Sequence, residues 1–264
     1  MKRLLLAALL MAAPAQAEPL RLASAGSLRA ALSEVAVAFA GSPGGGPVVE
    51  SYGPSGLLRN RIAGGEGFDL FASANMAHPE ALARERQMPV VLFARNRLCA
   101  LVRPGLDVSP ATLLDRMLDP AIRLGTSTPR ADPAGDYAFA LFARAEAVRP
   151  GARAALEAKA LTLTGGADSA RPPAGRDAYA WQFERDAADI FLTYCTNAVL
   201  ARRAEPRLAS IEVPEALAVF ADYGMLLLNP RVEAARLALF ILSPQGQMIL
   251  ARHGFDAPGL PKER

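Results

Sequence analysis

Three short segments place small and hydroxyl residues where a strand should give way to a helix: Ala25-Gly26-Ser27, Gly53-Pro54-Ser55-Gly56 and Asp132-Pro133-Ala134-Gly135. The chemistry on offer is anion binding. A helix start leaves backbone N–H groups without partners and carries about half a positive charge, so it attracts an anion without any lysine or arginine. Ser27 and Ser55 add hydroxyl donors, and Gly26, Gly56 and Gly135 are expected to let an anion approach the backbone closely. A serine before a helix is first of all an N-cap, so one such turn decides nothing. Several in one chain, spread over both halves, raise the anion reading.

Catalysis finds little support. His78 and His253 lie near no nucleophile or metal partner and read as surface or capping residues. No Cys/His metal spacing occurs. Gly53-Pro54-Ser55-Gly56 departs from the Gly-x-Ser-x-Gly nucleophile elbow, and Gly44 to Gly46 lack the Lys-Ser/Thr ending of a phosphate loop. The expectation is a binding protein without a cofactor. A periplasmic enzyme or scaffold is the rival of another class, and it lacks a credible acid–base pair.

The elements that must position these turns alternate short apolar strands with amphipathic helices, the pattern of an α/β fold with mostly parallel sheet. Strands are expected at 20–23, 48–52, 68–73, 123–125, 160–163, 188–195, 211–213 and 223–228. Helices are expected from Ser27, Ser55, Pro79, Pro110, Pro133, Arg176, Thr196, Val232 and Pro244. Residues 89–102 hold two apolar runs broken by Arg95-Asn96-Arg97, and 164–174 form a polar loop. In parallel α/β sheets, strand-to-helix turns lie at the carboxyl ends of strands, where ligands bind.

The N-terminus points to export. Lys2 and Arg3 precede an apolar run from Leu4 to Met11, and Ala15-Gln16-Ala17 has the small-x-small form of a cleavage site. Residues 1–17 are therefore expected to be a signal peptide, removed to leave a periplasmic, soluble protein with no membrane insertion. Without Lys2 and Arg3 the formal charge falls from +3 to +1, with no block of one sign, which argues against a nucleic-acid partner. Cys99 and Cys195 sit in apolar runs. Two buried free thiols are the plainer reading and a bridge between them the alternative.

The segments Leu22-Ala23-Ser24-Ala25-Gly26-Ser27-Leu28, Ser51-Tyr52-Gly53-Pro54-Ser55-Gly56-Leu57 and Phe68-Asp69-Leu70-Phe71-Ala72-Ser73-Ala74 together resemble the periplasmic molybdate-binding proteins of ABC importers. So do Asp132-Pro133-Ala134-Gly135-Asp136-Tyr137, the strand ending at Tyr194, and the closing Pro244-Gln245-Gly246-Gln247 with His253-Gly254-Phe255. The resemblance implies a monomer of two doubly wound α/β lobes, of the type II periplasmic binding-protein kind, with 18–102 and 213–264 in the first lobe and 103–212 in the second. It implies an oxyanion, molybdate or tungstate, clamped between the lobes and delivered to a membrane permease. Molybdenum would enter only as bound molybdate. By motif, Ser27 and Ser55 take the serine positions, Ala134 a backbone donor position and Tyr194 the phenol. The remaining backbone donor falls at Gly175 or Arg176. An arginine there departs from the pattern: its guanidinium would grip a carboxylate or phosphonate, and a different anionic ligand, including a small dicarboxylate or metal chelate, is the alternative. Asp136, in a first helical turn, reads as a dipole partner.

Overall fold

The computed structural model describes residues 18–258, so the expected signal peptide lies outside the described residues. Strands β1 (Leu20–Ala25), β2 (Val48–Gly53) and β3 (Leu70–Ala72) run parallel, with β1 in the middle. β1 is buried at every position but Arg21, as expected of a parallel strand covered on both faces. Helix α1 (Arg29–Ala40) covers it with Ala31, Leu32, Val35 and Phe39, one buried stripe at helical spacing. Helices α2 (Ser55–Ala63) and α3 (Ala77–Arg86) complete this half.

β4 (Val91–Val102) then joins two sheets in one unbroken strand. Its first part, to Arg97, pairs with a late strand of the chain. Its second part, from Leu98, pairs with strands of the second half. The chain therefore changes sheet inside β4, ahead of the boundary expected at 102/103. The polar Arg95-Asn96-Arg97 does not break the strand, because each side chain finds a partner there. Arg95 Nε donates to Asp222 at 2.8 Å, Asn96 Nδ2 donates to Thr196 at 2.9 Å, and Arg97 Nη2 donates to Glu212 at 3.2 Å.

The second half contains α4 (Leu113–Leu118), β5 (Leu124–Ser127), α5 (Pro133–Val148), α6 (Ala152–Lys159), β6 (Leu161–Thr164), α7 (Ala180–Glu184), β7 (Ile190–Tyr194), α8 (Cys195–Ala204) and β8 (Ala209–Glu212). The chain then returns through β9 (Phe220–Leu227), antiparallel to both β3 and β4, and closes with α9 (Val232–Leu242) and α10 (Pro244–Arg252). The strand order β2-β1-β3-β9-β4-β7-β5-β6, with β8 also on β4, is a curled mixed α/β sheet. Each end of it, with its helices, forms one lobe.

The lobes use the same device to align strands. Asp69, just before β3, accepts the N–H of Arg21 at 2.7 Å, and Asp189, just before β7, accepts the N–H of Arg123 at 2.8 Å. Both carboxylates are buried and matched by arginines, Asp69 by Arg231 at 3.2 Å, Asp189 by Arg103 at 2.7 Å and Arg123 at 2.8 Å.

Three expectations need correction. Cys99 in β4 and Cys195 at the head of α8 are joined as a disulfide, with Cα atoms 4.8 Å apart, rather than left as free thiols. Helix α6 was not expected, since only Ala152 and Leu156 give it a buried stripe. The helix expected from Arg176 begins instead at Ala180, because the Asp177 carboxylate takes the N–H groups of Tyr179 at 2.9 Å and Ala180 at 2.8 Å and so sets the start.

Candidate functional site

A cleft of about 650 Å³ opens between the lobes. Ser27, Ser55, Gly175, Arg176 and Tyr194 all line it. Ala134 does not: it is wholly buried.

Ser27 lies in a 3₁₀ turn, Gly26–Leu28, that leads from β1 into α1. It does not cap that helix; Oγ stands 3.0 Å from the hydroxyl of Tyr223 on β9. Asn96 Nδ2 donates to the same Tyr223 oxygen at 3.3 Å. Either hydroxyl of the Ser27–Tyr223 pair can be the donor, so Ser27 can turn its proton toward the cleft when Tyr223 donates to it. Burial pushes the Tyr223 phenol well above its ordinary pKa, which keeps that donor chain protonated.

Ser55 is the first residue of α2 and is 1% exposed. It too is not an N-cap. Its Oγ accepts the N–H of Ala74 at 3.1 Å, so its own proton is also left to donate. The starts of α1 and α2 carry no side-chain cap. This wall of the cleft therefore offers hydroxyls and uncapped helix starts, with Arg29 at its edge, 4.5 Å above the Tyr52 ring.

The opposite wall is different in chemistry. The N–H of Ala134, expected to face an anion, goes to Asp132 Oδ1 at 3.1 Å. Asp132 thus caps α5, and it is Asp132 that lines the cleft. Burial raises its carboxyl pKa, while the Ala134 N–H and the Ser127 hydroxyl pull it back. Asp177, likewise on the wall, caps α7. The N–H of Arg176 is spent on the carbonyl of Pro173 at 3.1 Å, so of the two positions expected for the backbone donor, Gly175 or Arg176, the one at Arg176 is taken. Its guanidinium stands at the cleft edge, exposed, 3.4 Å from Glu184. Gly175 sits in a turn with φ 79°, a left-handed conformation that suits glycine.

Tyr194 ends β7 and is 2% exposed, and its hydroxyl donates to the carbonyl of Ala74 across the cleft at 3.4 Å. Its ring packs against Tyr137 and Tyr223 at 6.2 and 5.6 Å between centroids. Burial raises this phenol too, so it remains a donor.

Of the glycines expected to admit an anion, only Gly26 has open space where a side chain would stand. A Cβ on Gly56 would lie 2.2 Å from the carbonyl oxygen of Arg130, and one on Gly135 would lie 2.5 Å from that of Ser127. Both allow backbone to meet backbone. Asp136 accepts the N–H of Arg130 at 2.8 Å and lies off the cleft wall. His78 is buried, not a surface residue, and its Nε2 has no partner; His253 pairs with Glu34 at 2.8 Å.

Arg29, Asp177, Tyr179 and Asn197 line the cleft but carry no motif. Arg29 follows the Ser27 turn by two residues, which was the one signal available. Asn197 donates to the Tyr179 hydroxyl at 2.9 Å, a contact between distant elements that spacing does not disclose.

Two curled α/β lobes with a donor-lined cleft between them have the form of a solute-binding protein. The chain belongs to the bacterial extracellular solute-binding protein family, whose model matches residues 20–256. Solute-binding proteins of this type serve ABC transporters. An uncharacterized protein of Pasteurella multocida is 40% identical over 210 residues, 77% of this chain and 85% of that protein. The sulfate-binding protein SubI of Mycobacterium tuberculosis shares the fold at a TM-score of 0.73 and 18% identity, over 91% of this chain and 87% of that one. The periplasmic molybdate-binding protein of Azotobacter vinelandii does so at 0.70 and 20%, over 91% and 100%. Among the described residues no single helix is long and apolar enough to cross a membrane.

Proposed function

We propose that this protein is the periplasmic capture component of an ABC importer for a small anionic solute, held with its oxyanion group against the first lobe. One observation carries the reading: Ser27 and Ser55 face one cleft, Ser55 with its oxygen taken by the Ala74 N–H and its own proton left to donate, beside two helix starts without side-chain caps. Tyr194 would add a donor from the second lobe by turning its hydroxyl from the Ala74 carbonyl to the solute. Closure on the solute would then present the joined surface of both lobes to the permease.

Molybdate and tungstate are the solutes named by the motif resemblance. A second reading, an organic anion such as a phosphonate or small dicarboxylate, or a metal chelate, is favoured by the size of the cleft. About 650 Å³ falls in the range of sites that enclose small organic molecules, about 300–1,000 Å³, and far exceeds one tetrahedral anion. Arg29 and Arg176 at its edges suit a ligand with further charged groups.

Isothermal titration against molybdate, tungstate, sulfate, phosphate, methylphosphonate and succinate tests the assignment. Heat with at least one, at one site per chain, supports it. Silence with all six rejects the anion reading.

A further inference from the structure

The two walls of the cleft do not ask for the same thing. The first offers protons. The second offers Asp132 and Asp177, which accept them. Asp132 is the better placed to act on a ligand, because its geometry is fixed on both sides. Oδ1 holds the Ala134 N–H at 3.1 Å, and the nearby Ser127 hydroxyl, itself held at 2.8 Å by Thr164, lowers the carboxyl pKa. The charge acting on Asp132 is that of Asp136, one turn along, and it has the same sign. A Cβ on Gly165 would stand 2.6 Å from Asp132 Oδ2, so the carboxylate is also walled by that turn. Asp132 therefore meets the ligand as a fixed acceptor, one whose ionised form burial disfavours until a donor is supplied.

We infer that Asp132 makes the cleft select oxyanions that carry a proton to give, such as a hydrogen phosphate, a phosphonate or a hydroxylated organic acid, over fully ionised ones such as sulfate and molybdate. The inference rests on the anion reading and narrows its substrate class. A ligand with an O–H turns the carboxylate into a charge-assisted hydrogen-bond partner. One without it either sets two bare anions together or requires the carboxyl first to take up a proton, and a cost against the wrong ligand is as effective a source of specificity as attraction to the right one. Sites built to hydrogen-bond a substrate hydroxyl reject the analogue that lacks it by factors up to about 10⁴–10⁵.

The test compares phosphate and methylphosphonate with sulfate and molybdate at pH 7, by titration of the wild-type protein and of Asp132→Asn. Asparagine keeps the helix cap and replaces an acceptor oxygen with a donor amide. Asp132→Ser, also a good cap, serves as the second variant, and equal melting temperatures check that both fold. The wild type is expected to prefer the proton-bearing pair by about 30-fold or more, and both variants to shrink or reverse that ratio. Equal wild-type affinity for sulfate and phosphate, or a ratio unmoved by both substitutions, would overturn the inference while leaving the anion site standing. Binding of none of the four by any of the three proteins would overturn both.

Discussion

Gly56 donates its backbone N–H to the carbonyl oxygen of Ala131 at 2.9 Å, joining the start of α2 in the first lobe to the segment before α5 in the second. The contact exists because residue 56 has no side chain: a Cβ there would lie 2.2 Å from the Arg130 carbonyl oxygen and 2.7 Å from that of Ala131. Gly56→Ala should leave each lobe intact, since alanine favours a helix, but hold the lobes apart. We expect ligand affinity to fall roughly tenfold or more, from about 1 kcal/mol for the lost hydrogen bond and the added clash. Small-angle scattering should show a larger radius of gyration, and titration the weaker binding.

Ser27 and Ser55 reach the cleft by different routes, one oriented through Tyr223 and Asn96, the other through the Ala74 N–H. Each alanine substitution removes one hydrogen bond to a charged group, about 1.5–3 kcal/mol, or roughly 10- to 100-fold in affinity. Ser55→Ala carries a further penalty, because the buried Ala74 N–H loses its acceptor. Its melting temperature should drop, and that of Ser27→Ala should drop less, because the buried Tyr223 hydroxyl loses Ser27 but keeps Asn96. Calorimetric titration and thermal melts separate the two.

Much of this was legible in the residues. The β1, β2 and β3 turns follow from apolar runs ending in small residues, and the meeting of Ser27 and Ser55 on one cleft wall follows from the turns themselves. The second lobe was less legible. Asp132 read as a flanking residue, yet its carboxylate occupies the donor that Ala134 was expected to supply. Capping is decided by a side-chain rotamer, and an Asp two residues before a helix interior looks the same whether it faces the helix or the solvent. The Arg95-Asn96-Arg97 break was misread for a related reason. Polarity marked the place where β4 leaves one sheet for another, and partners from distant segments, Asp222, Thr196 and Glu212, make it tolerable.

The Cys99–Cys195 bond ties β4, which lies between β7 and β8 in the second sheet, to the residue after Tyr194. It closes a loop with a sequence separation of 96. Replacing both cysteines with alanine should lower stability by about 2–4 kcal/mol and loosen the β7–α8 turn that carries Tyr194. A thiol assay on the unfolded, unreduced protein should find no free thiol, and denaturant melts of the double variant give the loss of stability.

His78, buried at the start of α3 with no partner for Nε2, is held neutral by burial, its pKa brought down to about 4 from 6.5. The unfolded chain takes up this proton near pH 6.5 and the folded chain does not. The stability that comes with the neutral ring is thus complete above 6.5 and is lost as pH falls from there toward 4. It amounts to about 2–3 kcal/mol over that window. His78→Leu should flatten the slope of melting temperature against pH between 7 and 4 relative to the wild type.

The central claim is that an oxyanion rests on Ser27 and Ser55 inside the cleft. Arsenate carries a proton at neutral pH and scatters anomalously, so crystals grown in its presence give the most direct test. The expected result is one arsenic peak between the lobes, with arsenate oxygens about 2.6–3.2 Å from both serine hydroxyls. An empty cleft, or arsenic bound only on an outer surface, would contradict the account.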